Sequence, residues 1–465
     1  MTTPLPAGPL PAGPLVAFYG DDFTGASASM EVLAFAGLPT VLFLDAPTPQ
    51  RLRDFAGYRA IGIAGTARSR SPGWMDEHLP PVFRLLAGLG APVVHHKVCS
   101  TFDSAPEIGS IGRAAEIGLD QLRPSWVPMV VADPGMGRFQ CFGHLFALAG
   151  ETGYRLDRHP TMSRHPTTPM GEADLLRHLA RQTTARTGLV DLVHIKRGTA
   201  DAQLDGVLAC GAQIVSLDVI DHETLVEAGR LIWERGGRPV FGIGSQGFEA
   251  ALVAYWRDRG LLPSHADRPQ PGAVDRIACV SGSVSPVTAG QIAHALDHGF
   301  EGIRLDATLA VDTAAWAAEL DGATAAALRV LGDGRDPLVF TAAGPDDPAV
   351  ARFEAALSAA GVPATVVNER VGSGMGQVLR RVIEAAGLRR VVISGGDTSG
   401  RAAAMLGLDA LTAIGPLDPG APLCRGHGPA GGPAVGLDGL ELALKGGQVG
   451  RPDFFSSVRN GGRPA

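Results

Sequence analysis

LVAFYGDDFTGASASMEVLAFAG, residues 15–37, holds a short apolar run, a turn opening on two aspartates, and an Ala/Leu-rich stretch with helical spacing. The same order returns in PVVHHKVCSTFDSAPEIGSIGRAAEIG (92–118) and in RPVFGIGSQGFEAALVAYWRDRG (238–260). After the polar, Pro-containing LLPSHADRPQPGAVD (261–275) it restarts at RIACVSGSVSPVTAGQIAHALDHG (276–299), PLVFTAAGPDDPAVARFEAALSAAG (337–361) and RRVVISGGDTSGRAAAMLG (389–407). Strand, polar turn and helix in repetition predict βα units, hence an α/β fold of two domains with mostly parallel sheets. The expected limits are a flexible Pro-rich lead-in at 1–14, a first domain at 15–260 and a second at 275–465, with the linker near 260–274. One segment breaks the pattern: from about Pro128 to Pro169 the chain is dense in Gly, Pro, His and Arg, and its apolar content predicts an ordered loop lining a site.

With 465 residues, the chain is too long for one ordinary core. A formal charge of −7 argues against nucleic acid or an anionic membrane as partner. No apolar run reaches bilayer length. The opening MTTPLPAGPLPAGPLVAF lacks the basic region and apolar core of a secretion signal. Five cysteines, scattered and without CxxC, fit a reducing cytoplasm better than a disulfide or zinc framework. Cys99 beside His96 could act as a nucleophile only with a poised base; a small wall residue is the commoner role.

Lysine is nearly absent. Only Lys97, Lys196 and Lys445 occur among 40 basic residues. Two of the three lie in polar, small-residue turns, and lysine offers the compact point charge that phosphoryl oxygens and other anions take. In the first turn Asp21 and Asp22 follow a strand, with Thr24 and Gly25 opening a helix. Carboxylates at the carboxyl edge of a parallel sheet face its binding crevice and can hold a cation, a hydroxyl or a proton; a plain helix cap would need only one of them. The second turn sets Lys97 beside Ser100, Thr101, Asp103 and Ser104, a set suited to an anionic, hydroxylated small molecule. His96 and His165 are candidates to touch an acidic substrate, against the ordinary alternative of hydrogen-bonded spectators. No HExxH spacing is present.

The second half carries glycine-serine turns: Ser281, Gly282, Ser283 and Ser285 in one, and Ser394 to Gly400, with Gly395, Gly396, Asp397 and Thr398, in another. Lys445 and Gly446 lie beyond. Such turns bring backbone N–H groups and a helix N-terminus to phosphates. GxxxxGK[ST] is absent, which excludes a P-loop. GSGMGQ (372–377) approaches GxGxxG but lacks the acidic ribose partner, so it reads as a loop beside the nucleotide or a tight turn.

At these residues the chain resembles the four-carbon acid sugar kinase family nearly end to end. YGDDFTGA is similar to the family's ADDFTGA, HHKVCSTFDSAPEIGSIG to KYCSTFDSTPxGNIG, and GHLF with HPTTPM to GHLF with HPLTPM. SGSVS, SGGDTSG and ALKGGQVGRPDFF resemble SGSCS, GGETSG and LKSGNFGxxDFF. The STFDS version points to the branch acting on 3-oxo acid sugars. The resemblance implies a cytoplasmic, ATP-dependent kinase, with Mg²⁺ carried on ATP, acting on the terminal hydroxyl of 3-oxo-tetronate or 3-oxo-isoapionate. It implies acid binding by the early domain, nucleotide binding by the later one, and an active site in the inter-domain cleft. Asp22 is the first choice for the base and Asp103 the second, with Lys97 on the substrate's charge. Asp21, Thr24, Ser100, Thr101, Arg138 and His165 would complete the acid site. Ser281, Ser283, Gly395 to Thr398, Lys445 and Gly446 would contact ATP. The partners are a sugar acid and ATP; the oligomeric state, a homo-oligomer included, stays open. The alternatives are a threonate or erythronate kinase, an NAD-dependent sugar-acid dehydrogenase using GSGMGQ, and a non-catalytic sugar-acid sensor.

Overall fold

The computed structural model describes residues 9–165, 167–265, 270–429 and 437–462; the side chains of Asp397 and Thr398 lie outside that description. The chain forms two compact units, residues 1–41 with 52–267, and residues 42–51 with 268–465. The early segment Leu42–Arg51 thus belongs to the second unit, which the βα periodicity did not indicate. Its Arg51 grips Asp409 through two hydrogen bonds of 2.9 and 2.8 Å, and Leu44 N donates to the Asp409 carbonyl at 2.9 Å. Among the described residues no helix is long and apolar enough to cross a membrane.

The first unit contains β1 (Val16–Gly20), β2 (Thr40–Phe43, which leads into the 42–51 segment), β3 (Ala60–Ala64), β4 (Val93–Lys97) and β5 (Val127–Val130). A hairpin sheet follows, β6 (Arg138–Cys141), β7 (His144–Ala149) and β8 (Thr152–Arg155), and then β9 (Thr187–Val190), β10 (Ile214–Leu217) and β11 (Val240–Gly244). The order β3-β1-β4-β11-β5-β10-β9 is parallel throughout. β1, β3, β4 and β11 are buried along their whole length, which is why β1, β3 and β11 read as apolar runs without alternation. The two histidines inside β4 point to opposite faces. His95 pairs with Glu249 at 2.6 Å and stacks on Phe248, while His96 stacks on Tyr19 and meets the edge of Phe83. The register aligns Ala64, Gly20, Lys97, Gly244 and Val130 in one row, so the loops leaving five strands emerge side by side.

The stretch expected to be an irregular loop is largely the antiparallel sheet β6-β7-β8. Its strands are too short and glycine-interrupted to show a period-two pattern. The β6–β7 turn runs through Phe142 and Gly143, both at positive φ (49° and 75°). The buried Asp218 carboxylate anchors it, accepting from Phe142 N (2.6 Å), Gly143 N (2.9 Å), Leu192 N (3.0 Å) and Gln140 Nε2 (3.1 Å).

The second unit contains β12 (Ala278–Ser281), β13 (Phe300–Arg304), β14 (Asp336–Phe340), β15 (Arg390–Ser394), β16 (Ala410–Asp418), β17 (Ala421–His427) and β18 (Glu441–Lys445). In the order β13-β14-β12-β15-β18-β17-β16 the first four pairings are parallel and the last two antiparallel. Ser281, Ser394 and Lys445 end adjacent strands in register. GSGMGQ is not a turn. It lies inside the helix Ala364–Ala386, and its glycines let neighbouring helices approach. A Cβ on Gly374 would stand 2.6 Å from Trp316 Nε1, and one on Gly376 2.6 Å from the Ala402 carbonyl. The dinucleotide reading therefore loses its loop.

Candidate functional sites

In the first unit the carboxyl-edge row places an acid-base cluster on the loops after β1, β3 and β4. Asp22 caps the helix Phe23–Ala34, its Oδ1 accepting from Gly25 N at 2.6 Å. Its Oδ2 accepts from Arg68 Nη1 at 2.9 Å, and Arg68 Nη2 donates to Asp103 Oδ2 at 2.7 Å. Arg68 thus clamps both proposed bases. Asp103 also accepts from Thr101 (2.6 Å) and from Thr168 (3.1 Å). Burial pushes the Asp103 carboxyl upward, but the Arg68 charge and the Thr101 bond outweigh it and hold the group well below the usual range. Asp103 is a fixed anion and a poor base.

Asp21 differs. Its backbone N–H is bonded to the Lys97 carbonyl at 2.9 Å, yet its Oδ1 is buried with no hydrogen-bond partner. Burial, then the Asp22 charge, pushes its carboxyl up to about 7. Lys97 is 1% exposed; its Nζ donates to the Val98 carbonyl at 2.7 Å and lies over Gly25, where an added Cβ would stand 2.5 Å away. Lys97 and the helix N-terminus therefore sit beside the two aspartates, a positive setting for an anionic oxygen.

The other expected acid-site residues divide. Thr24 Oγ1 stands 3.5 Å from Asp22 Oδ2, and Ser100 is half-buried in the Lys97 turn. His165 Nδ1 accepts from Thr168 N at 3.1 Å, and Thr168 Oγ1 is 3.1 Å from it, so His165 joins the cluster through Thr168. Arg138 opens β6 and carries a guanidinium within electrostatic reach of Cys99 and Asp133. His96 does not reach the edge: it is buried on the sheet face, and burial with its neighbours His95 and Lys97 lowers it to about 3, so it is neutral. Cys99 is no activated nucleophile, because burial raises its thiol and its Sγ has Thr101 Oγ1 as neighbour at 3.0 Å. Arg68 and Thr168 were missed. One functional arginine among 37 (40 basic residues less three lysines) leaves no compositional trace.

In the second unit three loops leave the row Ser281, Ser394, Lys445. Gly282 N donates to the Ser394 carbonyl at 3.0 Å, and Gly395 N to the Lys445 carbonyl at 2.8 Å. Ser285 caps the helix Pro286–Asp297 through Thr288 N at 3.1 Å, and Ser283 Oγ accepts from Thr288 Oγ1 at 3.0 Å. Gly395, at φ 128°, precedes the helix Gly396–Met405, and a Cβ on Gly396 would meet open space. Two helix N-termini and three glycine-bearing turns thus face one strand edge, an anion cradle of backbone N–H groups. Asp397 and Thr398, expected at ATP, have side chains outside the described residues. Ser281 Oγ and Ser394 Oγ are buried and unpartnered.

Lys445 departs from expectation. It is 0% exposed, and its three donors go to Thr288 Oγ1 (3.1 Å), the Gly446 carbonyl (3.0 Å) and the Val449 carbonyl (3.3 Å). An ammonium has three N–H bonds, so none is left for a phosphate. Burial lowers it to about 7 against the opposing Asp418 charge. The geometry makes it the pin of the Gly446–Val449 loop.

One α/β unit carries a buried carboxylate-lysine edge suited to a polar small molecule, and the other a glycine-lined anion cradle suited to a phosphate-bearing one, the pairing of sites a small-molecule kinase needs. Residues 16–252 match the model of a sugar-binding N-terminal domain, and residues 278–455 that of a nucleotide-binding C-terminal domain. The chain belongs to the four-carbon acid sugar kinase family. It is 49% identical to a 3-oxo-isoapionate kinase of Paraburkholderia graminis over 99% of this chain and 96% of that protein. It is 31% identical to a 3-oxo-tetronate kinase of Cupriavidus necator over 98% of each. The crystal structure of a Salmonella typhimurium LT2 protein superposes with a TM-score of 0.73 at 25% identity, covering 95% of this chain and 98% of that one. A Haemophilus influenzae protein shares the fold, with a TM-score of 0.67 at 24% identity over 96% and 100% of the two chains.

Proposed function

We propose that the protein transfers the γ-phosphate of ATP to the primary hydroxyl of 3-oxo-isoapionate, with the first unit holding the acid and the second the nucleotide. The observation that carries the reading is the first unit's edge, where one carboxylate with an unpartnered oxygen stands among fixed charges. What supports 3-oxo-isoapionate over 3-oxo-tetronate is identity: 49% over nearly the full chain with the 3-oxo-isoapionate kinase, against 31% with the 3-oxo-tetronate kinase.

Phosphoryl transfer asks mainly for positioning and charge neutralisation. Asp21 accepts the proton of the attacking hydroxyl. This replaces the expected Asp22, whose oxygens are taken by Gly25 N and Arg68. Arg68 holds the Asp22 and Asp103 side chains in place to orient hydroxyls, and Lys97 with the helix N-terminus supplies positive charge at the reacting oxygen. In the second unit, the backbone N–H groups of Gly396 and Gly446 receive the phosphates, while those of Gly282 and Gly395 bond to neighbouring strand ends and shape the turns, and Lys445 holds the Gly446–Val449 loop. Mg²⁺ bound with ATP would neutralise phosphate charge, keeping mostly water and phosphate ligands.

The test is acid-dependent ADP release with 3-oxo-isoapionate, 3-oxo-tetronate, threonate and erythronate. The first should give the highest kcat/KM. A higher value for 3-oxo-tetronate would reassign the substrate, and absorbance change with NAD in place of ATP would overturn the kinase reading.

A further inference from the structure

Arg138 presents a problem of charge. Its Nη1 donates to its own turn, to the carbonyls of Met136 (3.1 Å) and Gly137 (3.3 Å), while its Nε is buried with no partner. Among the described residues its guanidinium has no ion pair, and burial alone pulls its pKa down. The carboxylate closest to it in charge, Asp133, is already engaged: Oδ1 accepts from Gly135 N at 3.1 Å and Oδ2 from Gln246 Nε2 at 3.1 Å. A desolvated cation whose neighbouring carboxylate is turned to other donors is costly unless an anion completes it. Arg68, on the same edge, has such anions in Asp22 and Asp103.

Its position fits a particular anion. Arg138 N donates to the Asp133 carbonyl at 3.0 Å in the turn that leaves β5, and β5 ends at Val130, in the same edge row as Lys97 and Gly20, the residue before Asp21. Three strand spacings, about 14 Å between strand ends, lie along the edge from Asp21 to this turn, to be filled by the acid and by the side chains that reach it from either end. Five or six bonds of about 1.5 Å in zigzag span roughly 6–8 Å, the length of a four- or five-carbon acid.

Resting on the kinase reading, we infer that Arg138 is the specificity residue of the first unit, pairing with the carboxylate of the sugar acid at the end remote from phosphoryl transfer. Lys97 is thereby released from the role of carboxylate partner and serves the reacting oxygen. Gln246, by holding Asp133, keeps that carboxylate from neutralising Arg138, and Asp218 holds the hairpin from which Arg138 projects.

The test compares 3-oxo-isoapionate with its neutral analogue, in which CH₂OH replaces the carboxylate. With the Arg138→Gln enzyme, kcat/KM for the acid should fall on the order of 100-fold, chiefly through KM, while that for the neutral analogue stays within about twofold, the loss expected for a charge-assisted pair. Arg138→Lys should recover part of the loss. Upward shift of the melting temperature by the acid alone should vanish in Arg138→Gln, while the shift by ATP persists. An equal fall for acid and neutral analogue, or no fall, overturns the inference. Absence of ADP release by the unmodified enzyme with any acid would instead sink the kinase reading.

Discussion

Replacing Gly25 by alanine tests whether the Asp22–Lys97 geometry carries the chemistry. The new Cβ would lie 2.3 Å from Asp22 Oδ1 and 2.5 Å from Lys97 Nζ, where ordinary contact begins near 3.4 Å. Each group must retreat by about 1 Å, and the 2.6 Å cap between Gly25 N and Asp22 is lost or stretched. Losing the cap costs about 1 kcal/mol, while exchanging Gly for Ala in a helix returns roughly 0.5–1 kcal/mol. Net stability should therefore change little. A displacement of about 1 Å at a reacting group costs around 100-fold in rate, or roughly 2.7 kcal/mol of barrier. The assay is acid-dependent ADP release alongside thermal unfolding, with Gly73→Ala as the control, since nothing lies within 4 Å of its Cβ. Gly25→Ala should lose about 100-fold in kcat with a near-native melting temperature, and Gly73→Ala should lose nothing. Retention of more than half the native kcat by Gly25→Ala would refute the reasoning.

Asp21→Asn should abolish turnover, and the native kcat/KM should rise with pH through about 7 as that carboxyl ionises. Because the folded-state pKa of Asp21 is raised, its contribution to stability is present at low pH and fades as pH climbs toward 7; Asp21→Asn should therefore melt higher than the native protein at pH 8 and match it near pH 4. Arg68→Lys should cut kcat by 10-fold or more, because a point charge cannot bridge two carboxylates as the planar fork does; an unchanged rate would remove Arg68 from the site. Gly374→Ala, pressing 2.6 Å against Trp316 Nε1, should destabilise by about 1–3 kcal/mol in denaturant titration while leaving KM for the acid unchanged.

Much of this architecture is written in local patterns. Fully buried parallel strands favour continuous apolar runs, so β1, β12 and β15 stood out, and the polar turns after them marked both strand edges. What composition concealed was chosen by tertiary contact. Arg68 looks like any other arginine until the fold sets it between Asp22 and Asp103. The sequence order of Asp21 and Asp22 could not tell which would be clamped and which left with an unpartnered oxygen. Lys445 drew notice as a rare lysine, but only packing decides that its donors turn back into its own loop. GSGMGQ misled because small residues serve close helix packing as well as turns. The hairpin sheet at β6–β8 was illegible for another reason: its register is fixed by a distant carboxylate, Asp218.

The most direct measurement is phosphorus NMR of a reaction containing the enzyme, ATP, Mg²⁺ and 3-oxo-isoapionate. One new phosphomonoester on the primary carbon should grow in step with ADP and be absent with Asp21→Asn. Free phosphate in its place, or no resonance beyond ATP, would contradict it.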